Sequence, residues 1–90
     1  MNRKPITLIT GATSGIGESC TRKFAQAGFD LIITARREDC LQKQKMELER
    51  LGIRVLPLAF DVQDRIAARQ AIESLPDDWR EIDVPVNNAG

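Results

Sequence analysis

Three glycines fall within seven positions, Gly11, Gly15 and Gly17, directly after the apolar run Ile6-Thr7-Leu8-Ile9. The segment behind them is amphipathic, so the stretch reads as a strand, a glycine-rich turn and a helix start. Glycine admits φ > 0 and lets a ligand approach bare backbone. A helix N-terminus right after such a turn offers unpaired N–H groups and the positive end of the helix dipole to an anion such as a pyrophosphate. The spacing is Gly-x-x-x-Gly-x-Gly, not the Gly-x-Gly-x-x-Gly of the better-known dinucleotide fingerprint. No Gly-Lys-Ser/Thr follows, which argues against a P-loop for phosphoryl transfer. On this motif alone, a tight turn without a ligand stays open.

The remaining chain alternates between two periodicities. The pattern predicts a strand over Ile6 to Thr10 and a helix from about Gly15 to Ala27, with Ile16, Cys20, Phe24 and Ala27 on its apolar face. Gly28 closes that helix. The continuous Leu31-Ile32-Ile33 predicts a strand over Asp30 to Thr34 buried on both faces. A second helix spans about Asp39 to Leu51, with Leu41, Leu48 and Leu51 on one side and Gly52 at its end. A third strand spans Arg54 to Phe60, and Pro57 inside it predicts an edge position. A third helix runs from about Gln63 to Leu75 with a stripe of Ala68, Ala71, Ile72 and Leu75, capped by Asp61 or Asp64. Pro76-Asp77-Asp78-Trp79 makes a turn, with Trp79 as a packing residue. A fourth strand covers Asp83 to Val86.

This βαβαβαβ order predicts a Rossmann-like, doubly wound parallel sheet with right-handed crossovers and strand order 3-2-1-4. The winding reverses between the first and fourth strands, the switch point where open α/β sheets bind ligands. The glycine turn and the terminal Asn87-Asn88-Ala89-Gly90 both fall at carboxyl ends of those strands.

Composition narrows the function. Ninety residues make at most one small domain. Thirteen basic residues balance thirteen acidic ones, so nothing suggests nucleic acid. No apolar run is long enough to span a membrane, and the first strand begins too early to leave room for a signal peptide. Cys20 and Cys40 form no Cys-x-x-Cys pattern, and without histidine there is no zinc site. Both read as free thiols of a reducing cytoplasm. The chain has no Tyr and no His, and its serines are Ser14, Ser19 and Ser74. A Ser-His pair or a phenolic proton donor is therefore impossible within these residues, and no catalytic residue is assigned.

Three further positions bear on a dinucleotide. The end of the second strand faces the adenosine ribose in such folds, where a carboxylate binds the hydroxyls of NAD. Here Thr34-Ala35-Arg36-Arg37 has none. Arg36 suits the 2′-phosphate of NADP instead, since guanidinium pairs bidentately with phosphate; two exposed surface arginines without a ligand are the competing reading. Asp61 can accept a bond from the adenine amino group while Val62 packs on the ring; capping the third helix is the competing role for Asp61. Asn87 and Asn88 can fix neighbouring backbone, and Ala89-Gly90 is small enough for a ribose to come close. A plain turn explains those four residues equally well.

Thr10-Gly11-x-x-x-Gly15-Ile16-Gly17, Asp61-Val62 and Asn87-Asn88-Ala89-Gly90, in this order, resemble the motifs of the short-chain dehydrogenase/reductase superfamily. The resemblance covers the whole chain but only about the first third of a family member. It implies that Gly11, Thr13, Ser14, Gly15, Ile16 and the adjoining Gly17 serve the cofactor phosphates and ribose. It implies that Arg36 and Arg37 select NADP, that Asp61 and Val62 hold adenine, and that Asn87, Ala89 and Gly90 line the cofactor. Ala35-Arg36-Arg37 and Ser74-Leu75-Pro76-x-x-Trp79-x-x-Ile82-Asp83 are similar to the NADP-dependent 3-hydroxy acid dehydrogenases, which oxidise serine and related 3-hydroxy acids or reduce malonic semialdehyde. A small-molecule substrate and a homotetramer or homodimer are implied likewise.

By the same resemblance, the catalytic Ser and the Tyr-x-x-x-Lys pair would follow Gly90. The expectation is the N-terminal cofactor-binding part of one domain, cut after the fourth strand and inactive alone. Its fourth strand would be an uncovered apolar edge that invites association. Pro85 departs from the apolar residue usual there. The alternatives are a non-catalytic dinucleotide-binding or sensor module, and an interaction protein that kept the fold without the ligand.

Overall fold

The structure, a computed structural model, describes residues 4–87, the last of them by its backbone alone. Four strands, β1 (Ile6–Thr10), β2 (Asp30–Ala35), β3 (Val55–Ala59) and β4 (Val84–Asn87), alternate with three helices, α1 (Gly15–Gln26), α2 (Glu38–Glu49) and α3 (Arg65–Glu73). A single 3-10 turn, Asp77–Trp79, precedes β4. All strand pairs are parallel and the order is β3-β2-β1-β4, the Rossmann-like arrangement read from the alternation.

Two apolar layers follow from the pleat, which sends successive side chains to opposite faces. Ile9, Leu31, Ile33 and Val55 pack with Ala25 of α1 and with Leu41 and Leu48 of α2. On the other face Ile6 and Ile32 pack with Leu75 and Trp79, joined by half-buried Leu8, Leu56, Leu58 and Ile82. All six residues of β2 are buried, as a strand covered on both faces requires. Pro57 lies on β3 and Pro85 on β4, the two edges of the sheet among the described residues, where a missing N–H disturbs least.

A clip holds the amino ends of the strands, opposite the glycine turn. The Asp30 carboxylate, only 3% exposed, accepts from the Arg54 backbone N–H at 2.9 Å and from Arg54 Nε at 3.0 Å. The Arg54 guanidinium lies over the Trp79 ring, 4.6 Å from its centroid. Next to it, the Asp83 carboxylate accepts from the Ile6 N–H at 2.8 Å. Trp79 is thus a packing residue, as its position in the turn predicts.

Helix faces differ from the periodicity in three places. The buried row of α1 is Gly17, Thr21 and Ala25, while Ile16 is 74% exposed. Close approach at Gly17 turns that row to the sheet and points Ile16 outward. On α2 the buried row is Leu41, Gln44 and Leu48, and Leu51 falls past the helix end into solvent. On α3 no residue is fully buried, and Leu75, beyond the helix, fills the core instead. The start of α3 at Arg65 has a local cause. Asp61 Oδ1 accepts from Gln63 N at 2.9 Å and Asp64 Oδ1 from Ala67 N at 3.1 Å. The first bond closes a turn and the second is the N-cap, so the cap belongs to Asp64.

Candidate functional site

The glycine-rich turn connects the carboxyl end of β1 to α1. Gly11 takes φ 62°, a left-handed conformation that other residues adopt at a cost. The carbonyl it presents accepts from Ser14 N at 3.1 Å and from Ser14 Oγ at 2.8 Å. Ser14 Oγ in turn accepts from Gly17 N at 3.2 Å and caps α1. A Cβ on Gly17 would overlap the Gly11 carbonyl oxygen, so the turn folds back tightly on the helix start.

Gly15 is the opposite case. A Cβ there would meet nothing within 4 Å, so the space over the first turn of α1 is open. The amides of Gly15 and Ile16 stand in that first turn, where α-helical geometry supplies no carbonyl partner. Thr13, Ser14 and Ile16 are exposed beside them.

The turn is anchored to its neighbours at Ala12, which is fully buried. Ala12 N donates to Thr34 O at the end of β2, 3.0 Å away. Its carbonyl accepts from Gln44 Nε2 of α2, also at 3.0 Å.

Arg36 and Arg37 follow β2 directly and are both exposed. Arg37 Nη2 lies 3.7 Å from Asp39 Oδ2. Arg36 has no ion-pair partner among the described residues, and no carboxylate lies between Asp30 and Glu38 in sequence. Half-buried Asp61 and Val62 follow β3. With Oδ1 on Gln63 N, the Oδ2 of Asp61 has no partner among the described residues. The structure thus brings Gly11 to Gly17, Arg36, Arg37, Asp61 and Val62 to the carboxyl ends of three adjacent strands, spaced about 4.8 Å apart. Asn87 pairs by backbone register with Thr10 at the end of β1. Asn88, Ala89 and Gly90 lie outside the described residues.

This crevice suits a phosphate-bearing dinucleotide. It has an open helix N-terminus, a glycine that leaves room above it, and an uncommitted guanidinium one strand away. The family described as short chain dehydrogenase matches residues 5–90. The chain belongs to the short-chain dehydrogenase family. An NADP-dependent 3-hydroxy acid dehydrogenase of Salmonella typhi is 48% identical over 85 residues, covering 94% of this chain and 33% of the relative. The crystal structure of serine dehydrogenase from Escherichia coli superposes with TM-score 0.86 at 46% identity, covering 94% of this chain and 38% of that one. L-sorbose reductase from Gluconobacter frateurii, complexed with NADPH and L-sorbose, gives TM-score 0.90 at 34% identity over 97% of this chain and 34% of its own. The chain spans about a third of the length of the curated relatives it matches.

Two groups in this short-chain dehydrogenase chain escape a reading by motif, Gln44 and Thr21. Gln44 is 8% exposed, and its Nε2 also donates to Thr21 Oγ1 at 3.0 Å. The available signal was a glutamine inside the otherwise apolar row of Leu41 and Leu48.

Proposed function

We propose that these 90 residues form the N-terminal cofactor-binding part of an NADP-dependent oxidoreductase. The reaction would be hydride transfer between NADP and a 3-hydroxy acid, or another small alcohol or carbonyl compound. The observation that carries the cofactor choice is Arg36, exposed and without an ion-pair partner where an NAD-binding site would hold a carboxylate. Its guanidinium pairs with the 2′-phosphate. Gly15 and Ile16 offer their amides to the pyrophosphate, Ile16 covers the ribose side, and Asp61 accepts from the adenine amino group.

The substrate class rests on the Salmonella typhi relative, named as an NADP-dependent 3-hydroxy acid dehydrogenase. Bound NADP supplies the hydride donor or acceptor. The chain's own residues bind and orient it; proton transfer needs groups these 90 residues lack, for they contain no Tyr and no His. The second reading is a non-catalytic dinucleotide-binding or sensor module. Cys20 and Cys40 are free thiols, which suits a reducing cytoplasm, and the assembly that accompanies this reading is a homotetramer or homodimer.

Titration with NADPH and NADH tests the proposal. Tighter binding of NADPH is the expected result. Equal affinities would refute the role of Arg36, and binding of neither would favour an interaction protein that kept the fold.

A further inference from the structure

Gln44 is a costly residue where it stands. It sits between Leu41 and Leu48 on the buried row of α2. A leucine there would complete the row. The amide keeps one buried atom, Oε1, without a partner among the described residues. Burying an unpaired amide oxygen is unfavourable.

The other half of the amide is fully used. One Nε2 hydrogen goes to Ala12 O and the other to Thr21 Oγ1, both at 3.0 Å. Thr21 Oγ1 donates its own hydrogen to Glu18 O at 2.7 Å, so its lone pair faces Gln44. The orientation of the amide is determined by chemistry, since the Ala12 carbonyl can only accept. Ala12 is thereby gripped from two sides, by Thr34 O on its N–H and by Gln44 on its carbonyl. The next residues are Thr13, Ser14 and Gly15, the exposed arm of the turn.

We infer that Gln44 is a positioning residue of the cofactor site. Reaching from α2, it holds Ala12 and so sets the glycine-rich turn against the end of β2. Because α2 begins directly after Arg36 and Arg37, the same contact ties the pyrophosphate arm of the crevice to the 2′-phosphate arm. The inference rests on the dinucleotide reading above for what the turn binds, but not for what holds the turn.

The test uses Gln44→Leu and Gln44→Met in the whole protein that carries this chain. Three quantities are read: melting temperature, amide hydrogen exchange across Gly11 to Gly17 without cofactor, and affinities for NADPH and NADH. The expected result is faster exchange across the turn with a small change in melting temperature, because removing the unpaired Oε1 is offset by leaving the buried Ala12 carbonyl without its donor. Both affinities should weaken about two- to tenfold in parallel, because the pyrophosphate is common to the two cofactors. Unchanged exchange and affinities would overturn the inference. So would affinities that fall only in step with the melting temperature, or failure of both variants to fold, since the amide would then be a support of the fold itself. If the unaltered protein binds neither cofactor, the dinucleotide reading fails, and the exchange measurement alone still decides whether Gln44 holds the turn.

Discussion

Gly17 lies so close beneath the carbonyl of Gly11 that a side chain at position 17 would overlap the oxygen. The neighbour is backbone and cannot swing aside. Gly17→Ala must therefore push α1 away from the turn, at a cost of about 1–3 kcal/mol. Gly15→Ala is the control. A Cβ at position 15 meets nothing, and alanine in a helix is better than glycine by about 0.5–1 kcal/mol. Chemical denaturation should show Gly17→Ala less stable and Gly15→Ala equal or more stable. Cofactor affinity should fall in both, because the methyl of Gly15→Ala enters the space proposed for the pyrophosphate. A Gly15→Ala variant with full NADPH affinity would move the cofactor elsewhere.

Arg36 provides the specificity test. Arg36→Ala should lose roughly 1.5–3 kcal/mol of NADPH binding, about ten- to hundredfold, the worth of a charge-assisted pair. NADH carries no 2′-phosphate, so its affinity should barely move. Arg37→Ala should matter less, because Arg37 already faces Asp39 at 3.7 Å. Parallel loss of both cofactors on titrating Arg36→Ala would mean that the arginine supports the loop and does not read the phosphate.

The strand order was legible because two signals agree, the alternation of periods and Pro57, which sits on the edge strand β3. Pro85 gave no such signal; it departs from the apolar residue expected in the fourth strand. The crevice was legible for a similar reason, since glycines, Arg36 and Asp61 each follow a strand. Helix faces were harder. Ile16 matches the period of Cys20 and Phe24, yet the Gly17 contact with Gly11 selects the neighbouring row. Such a choice depends on tertiary approach, which a periodicity does not encode. Asp61 and Asp64 are both cap residues by type, and only the bond to Ala67 N distinguishes them. Gln44 was hidden because glutamine on a helix full of Lys and Glu reads as surface.

The clip at the opposite end of the sheet separates stability from binding. Arg54→Ala would leave the buried Asp30 carboxylate with the backbone N–H of position 54 but without the Nε donor and the guanidinium over Trp79. Half of the Arg54 side chain is exposed, so water compensates in part. A loss of about 1–3 kcal/mol in urea unfolding is expected. Arg54→Lys keeps the charge but not the planar fork, and should fall between. Neither change touches the crevice, so NADPH affinity of the folded protein should hold. A drop in affinity at full folding would show coupling between the two ends of β2.

Proton transfer to or from a substrate oxygen at neutral pH needs a group poised to exchange that proton. The chain offers no Tyr or His, and its Cys20 and Cys40 are half-buried on α1 and α2. Ser14 has its hydroxyl committed to the Gly11 carbonyl and the Gly17 amide. Purified as 90 residues, the chain should therefore show no turnover of NADP with serine or 3-hydroxypropionate, even where NADPH binds. Reading the coding sequence past Gly90 decides between the two proposed functions. A Ser followed by Tyr-x-x-x-Lys would make the chain the binding part of a dehydrogenase, and a stop codon would leave a non-catalytic module. Turnover above background by the 90 residues would overturn both readings, because it would require a proton donor that neither assigns.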